Sequence, residues 1–294
     1  MMIQNNSPLS RTFDVFNVIF LISFAALTVV PFVYVIGTSF ATQQEIATRP
    51  FFLIPRNFQL ESYRYILSSR TLPRAMWVSV WTTIVGTLIS MIMTLTFAYP
   101  LSKKYLKGRN TMLVMITFTL VFSGGMIPGY LNIRNLGLLN TYWSMIIPGA
   151  IGTWNLIVIK NFFQALPEEL EESARIDGAS DLTVFLRIIL PLSTAVIATF
   201  SLFYAVGYWG AFRPALFYIP SRPERWPVQL ILRNIVMLSA GRIDDANFDP
   251  SLVLPPSESI RNAVIVFATA PILFLYPFLQ KHFTKGVMIG AIKG

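Results

Sequence analysis

The chain has 294 residues, 54% of them hydrophobic and only 13% charged, with a mean hydropathy of +0.59, whereas a soluble domain carries about 25% charged residues. It contains no cysteine, which excludes disulfides, thiol chemistry and cysteine metal sites. A formal charge of +9 in so apolar a chain reads as loop charge that sets topology, and it excludes a nucleic-acid surface as the default reading.

A short polar N-terminus carrying Arg11 leads into a first apolar stretch at about 15–36. It is longer than a signal-peptide core and has no small-residue cleavage site, so it reads as a retained span. Further spans are expected at about 75–101, closed by Pro100; 112–131, disturbed by Ser123-Gly124-Gly125 and Pro128; 142–162; 188–209; and 260–279. Each is long enough to cross the hydrocarbon core, and in lipid the default form is a helix. The expected fold is all-α, a polytopic membrane protein of six transmembrane helices. It forms one domain over 1–294, with a tail at 280–294.

Six spans put both termini on one side. The loop 102–110 holds Lys103, Lys104, Lys107 and Arg109, and this density beside span ends favours the cytoplasm. All seven lysines fall on that side, and the outer loops use only arginine. Trp77, Trp81, Trp143 and Trp209 sit at the outer ends of their spans, as an aromatic belt requires.

The loop 164–187 then lies in the cytoplasm, where basic residues are favoured. Yet six of the chain's 14 acidic residues fall between Glu168 and Asp181. Pro167 suits the first position of a helix, and Glu168 and Glu169 suit its first turn. Leu166, Leu170 and Ala174 recur every fourth residue and are expected to form one apolar ridge. Asp177-Gly178 ends this helix, and Ser180 or Asp181 caps a second one that leads into the fifth span, with Pro191 just inside it. Two readings stand. One is a solvated loop with acids at a helix start. The other is a docking element for a cytoplasmic protein, in which Ser173, Ala174, Gly178 and Ala179 allow close approach.

These residues resemble the signature of permease subunits of ATP-binding-cassette (ABC) importers. That signature is a cytoplasmic loop of the form E-A-A-x-x-D-G-A followed by I-x-L-P. Here it stands as Glu172-Ser173-Ala174, Asp177-Gly178-Ala179 and Ile188-Ile189-Leu190-Pro191, with Ser173 replacing the usual Ala. The wider chain is similar to the carbohydrate-importer branch, and more distantly to permeases for polyuronates such as alginate. The resemblance implies the type I importer transmembrane fold and a coupling helix seated in an ATPase cleft. In that cleft Glu172 would pair with an arginine, and Gly178 would permit the turn. It implies a second, related permease subunit, two ATPase subunits that bind ATP and magnesium, and an extracytoplasmic binding protein that delivers an oligosaccharide. The chain itself would carry no cofactor and no catalytic residue. The ending, with Lys285, Gly286, Gly290, Lys293 and Gly294, resembles that branch's tail, which reaches the ATPase dimer.

Pathway candidates are Trp154 and Asn155 in the fourth span and Tyr204, Tyr208 and Trp209 in the fifth, since sugars bind aromatic faces and hydrogen-bonding groups. Helix packing is the alternative role for each. Arg213, Arg222, Arg225 and Arg233 in the outer segment 210–258 are candidates for meeting the binding protein, with solvation as the alternative. Rival classes find little support. His282 is the one histidine, no H-E-x-x-H or Walker A pattern occurs, and no internal duplication marks a secondary carrier. A permease for a non-sugar solute such as a peptide remains open.

Overall fold

The computed structural model describes the backbone of residues 8–239 and 257–291, and the side chains of 11–238 and 257–274. Its regular elements are all helical. In chain order they are α1 (Pro8–Ser39), α2 (Gln43–Thr48), α3 (Glu61–Ser68), α4 (Thr71–Ser102), α5 (Arg109–Val121), α6 (Met126–Asn135) and α7 (Trp143–Ile146). They continue with α8 (Thr153–Gln164), α9 (Glu169–Ile176), α10 (Asp181–Val184), α11 (Leu190–Leu192), α12 (Thr194–Gly210), α13 (Arg213–Tyr218), α14 (Val228–Ser239) and α15 (Glu258–Ala291). Every apolar segment expected to span falls on one or two of these helices.

Among the described residues two helices, α1 and α4, are continuous and apolar enough to cross a membrane, and three further candidates are bent helix pairs. The third segment differs most from expectation. Instead of one disturbed helix it is α5 and α6, turned by 119° across Phe122–Gly125. Pro128 falls in the first turn of α6, where its missing N–H costs nothing, so these residues start a new helix rather than kink an old one. The fourth segment bends by 49° between α7 and α8.

The fifth segment also departs from a straight span. It begins at Asp181 and turns by 81° at Ser193. A π-helical turn at Phe185–Ile189 and Pro191 precede the bend, and both are recognised causes of a break. Ser193 sits buried at the corner, its hydroxyl donating to the Ile189 carbonyl at 2.6 Å. The 210–258 segment, expected as a loop, contains the helices α13 and α14.

The described residues form two compact units. Those up to Arg70 and within Ile235–Thr269 make one, and those of Thr71–Asn234 and from Ala270 onward make the other. In the first unit, Asn262 of α15 donates to Thr38 Oγ1 at 2.8 Å, and Ser62 of α3 donates to Ser259 at 3.2 Å. Glu45 organises the turn after α2. Its carboxylate accepts from the backbone N–H groups of Arg56, at 2.9 Å, and Asn57, at 3.2 Å, and from the Arg49 guanidinium. The Arg56 N–H contributes most to holding the Glu45 carboxyl below its ordinary pKa. The end of α1 passes so close to this turn that a methyl group on Gly37 would collide with the Leu53 backbone carbonyl. Backbone cannot rotate away as a side chain can. Gly37→Ala is therefore expected to destabilise the unit by about 1–3 kcal/mol or more, read as a lower melting temperature in detergent. An unchanged melting temperature would contradict this packing.

The second unit is built on α4, which packs against α8 and α12. Its core includes Met91, Leu95, Ala98, Leu156, Ile159, Phe163, Phe185 and Ile189. Hydroxyl bridges cross this apolar contact, as is usual where helices meet in lipid. Thr94 pairs with Tyr204 at 2.7 Å, and Ser90 with Tyr208 at 2.9 Å. Tyr204 also accepts from the Gly152 N–H at 2.9 Å. The cluster extends through Phe163 and Phe185 to the end of α4 where the acidic loop is held.

Candidate functional site

The acidic loop folds as a short helix, a turn and a second short helix, as its sequence predicts, but its register differs. The first closed turn uses the Glu168 carbonyl, which accepts from the N–H groups of Glu171 and Glu172. Glu168 is therefore the N-cap and Pro167 precedes it, instead of holding the first helical position. Since the helix starts only at Glu169, Leu166 is not one turn below Leu170, and the expected ridge does not form. Leu166 and Ala174 pack on the core, whereas Leu170 is exposed. The inward face instead carries Glu171, buried, and Ala174, half-buried, with Arg175 exposed at its edge, at the three- and four-residue spacing of one helix side.

The Asp177-Gly178-Ala179 sequence makes a Schellman closure. The Gly178 N–H donates to the Arg175 carbonyl at 3.0 Å, and the Ala179 N–H donates to the Ala174 carbonyl at 2.9 Å. Gly178 lies at φ +83°, in the left-handed region that only glycine enters without strain. A methyl group there would meet nothing within 4 Å, so conformation and not space demands this glycine. Ser180 then caps α10 by accepting from the Thr183 N–H at 3.3 Å.

The result is a helix with two different sides. Glu172, Ser173 and Ile176 face outward, and Ile176 is 87% exposed, an uncommon position for a large apolar side chain. Asp177 and Gly178 are exposed at its end, and Ala174 and Ala179 are half-buried beneath. Leu190 is half-buried and Pro191 exposed beyond the π-helical turn. The opposite side is ionic. Glu171 is buried and accepts from Lys103, whose ammonium lies 4.6 Å over the Tyr99 ring. Arg175 bonds Tyr105 Oη at 2.8 Å and pairs with Asp181 at 2.9 Å. A cavity of about 240 Å³ lies between the 102–105 turn and α9, lined by Phe163 and Leu166 as well as by Lys103, Glu168, Glu171 and Glu172. Reading the sequence missed Glu171, Lys103, Tyr105 and the hub role of Arg175. The available signal was that a strongly basic loop and a strongly acidic loop were expected on one side of the membrane.

The remaining candidates are scattered. Trp154 is 64% exposed, and Asn155 is half-buried beside Gly152 and Tyr204. Tyr204 and Tyr208 spend their hydroxyls on the helix contacts above. Trp209 is buried in its unit, so it is not presented as an interface anchor. Arg225 donates to the Asn140 carbonyl and lies 5.4 Å from the Tyr142 ring centre, and Arg233 lies 5.8 Å from that of Phe212. Arg222 is exposed beside Glu224, and Arg213 is exposed at the start of α13. Lys285, Gly286 and Gly290 lie on the α15 backbone, which continues past the expected end of the sixth span, with their side chains outside the described residues. Lys293 and Gly294 lie outside the described residues altogether.

The regular elements of the described residues are thus all helical, with an exposed helix–turn–helix lying between α8 and α12. Residues 3–289 match the family described as binding-protein-dependent transport system inner membrane component, and the chain belongs to that family. It is an ABC-importer permease of the carbohydrate branch, an inner-membrane component without an ATPase site of its own and without a cofactor. It is 52% identical over 291 residues to protein LplC of Bacillus subtilis (strain 168), covering 99% of this chain and 98% of that protein. It is 47% identical over 285 residues to the polygalacturonan/rhamnogalacturonan transport system permease protein YtcP of the same organism, covering 97% and 99%. Among solved structures it resembles a chain of a bacterial ABC transporter involved in the import of the acidic polysaccharide alginate. The TM-score is 0.86 at 29% identity, with 96% of this chain and all of that one covered.

Proposed function

We propose that this chain forms half of the translocation pathway of an ATP-driven importer for an acidic oligosaccharide, of the polygalacturonan or alginate type. A second permease subunit supplies the other half, two ATPase subunits bind α9, and an extracytoplasmic protein delivers the sugar. The observation that carries the mechanism is the two-sided helix α9. It offers Glu172, Ser173 and Ile176 to a partner while its inner face is tied to the body of the chain. Similarity to a polygalacturonan permease and to an alginate transporter supports the acidic substrate.

In this scheme loop 102–110, the α9 region and both termini are cytoplasmic, and the C-terminal residues from Lys285 approach the ATPase pair. ATP-driven closure of that pair moves α9, and the helices tilt between inward- and outward-facing states. Arg213 and Arg222 are the better placed of the four outer arginines to meet the binding protein, because Arg225 and Arg233 hold their own loop. Trp154 and Asn155 are the pathway candidates most open to a sugar. Reconstitution in proteoliposomes tests the substrate. ATPase activity should rise with oligogalacturonide or oligoalginate and its binding protein, and stay basal with a neutral malto-oligosaccharide. Stimulation by the neutral sugar alone would overturn the acidic assignment.

A further inference from the structure

The six acids of the loop do not share one task. Glu171 and Glu172 are adjacent in sequence, but Glu171 is 7% exposed and turned toward the chain's own loop 102–110, whereas Glu172 faces outward. Glu171 accepts from Lys103, which itself is shielded against Tyr99. One turn on, Arg175 lies 3.8 Å from Glu171 and reaches both Tyr105 of the 102–110 loop and Asp181 of α10. Three separate segments are thus joined by side chains at one end of α4.

The covalent routes out of α9 are poor transmitters by comparison. Toward the C-terminus the chain passes a π-helical turn and the 81° break at Ser193 before reaching α12. Toward the N-terminus it passes the non-helical 165–168 turn. By contrast α4 runs unbroken for 32 residues, about 48 Å at 1.5 Å per residue, and packs on both α8 and α12.

We infer that Glu171 is a positioning residue. Its ion pair with Lys103, backed by Arg175, makes the 102–108 turn and α9 one rigid body, so that force applied to the outer face of α9 passes into α4 instead of being lost in the loop. The inference rests on the proposed function for the source of the force. The ionic joint itself does not depend on that reading. An exposed pair would do little, but a shielded pair with several partners fixes one geometry, and losing one member leaves the other charge uncompensated.

The chain has no cysteine, so Lys104→Cys with Glu168→Cys places two spin labels across the joint with no other thiol to label in this chain, the partner subunits being used without reactive cysteines. The native pair there is 4.0 Å apart, with side chains 82% and 77% exposed. In the whole transporter, strong dipolar broadening is expected with and without ATP. Glu171→Gln should remove the broadening and lower the sugar taken up per ATP hydrolysed by about tenfold, while the ATPase subunit still co-purifies. The exchange variant Lys103→Glu with Glu171→Lys should recover most of both. The proposal is overturned if Glu171→Gln keeps broadening and coupling at the wild-type level. It is equally overturned if ATP separates the labels, or if the exchange variant is no better than the single changes. A wild-type chain that brings down no ATPase subunit overturns the importer reading. The joint is then judged in the chain alone, where broadening lost in Glu171→Gln upholds it and broadening kept overturns it.

Discussion

Glu172→Lys is expected to abolish sugar-stimulated ATP hydrolysis while leaving the protein inserted and folded. Glu172 is exposed on the outward face of α9, at the rim of the cavity beside the 102–105 turn. Removing one member of a buried, hydrogen-bonded charge pair at an interface costs about 2–5 kcal/mol, and reversing the charge adds repulsion. The expected loss of ATPase affinity is therefore at least about 30-fold. Uptake of labelled sugar into membrane vesicles, with insertion verified by immunoblot, measures it. The comparison with Glu171→Gln is informative, because the two changes sit one residue apart and should fail differently. Glu172→Lys should lose the ATPase subunit, whereas Glu171→Gln should keep it and waste its work. Unchanged uptake in Glu172→Lys would remove this residue from the mechanism.

Gly178→Val is expected to be nearly as damaging, and for a conformational reason. At φ +83° an L-residue costs about 1–2 kcal/mol, and a β-branched one more. Relaxing that strain would break the two hydrogen bonds that close the helix. Association with the ATPase should fall by about tenfold or more. Gly178→Asn separates backbone strain from crowding, since asparagine tolerates the left-handed region and the site has room. It should retain most of the activity. Equal loss in both variants would mean that something other than backbone conformation requires glycine here, and full-strength assembly of Gly178→Val would refute the turn.

Much of this was legible from local pattern. A glycine after a helix predicts a left-handed closure, and the Schellman bonds at Gly178 and Ala179 are that closure. Ser180 before an apolar run predicts a cap, and Ser180 is the cap. The apolar segments predict helices, and the chain supplies them. Long-range and unusual environments were not legible. Glu171 reads as one more solvated acid, because burying a carboxylate is expensive unless a cation meets it. Its cation is 68 residues away in sequence. The same limit explains Leu170, put on one ridge with Leu166 and Ala174 by spacing but separated from them once the helix begins two residues later than Pro167 suggests. Periodicity also cannot distinguish a disturbed span from two helices at 119°, because both read as one apolar run with a glycine pair inside. Tyr204 and Tyr208 looked like sugar contacts because polar groups at membrane depth often face a path. Here their hydroxyls join α4 to its neighbours.

The central claim is that α9 is held by a separate ATPase. Isolation of the chain from its native membranes in mild detergent tests it most directly, with co-purifying proteins identified and ATPase activity measured against acidic and neutral oligosaccharides. The account predicts recovery of an ATPase and a second permease subunit, with activity raised by an acidic oligosaccharide and its binding protein. Recovery of the chain alone, under conditions that keep a control transporter whole, would contradict it.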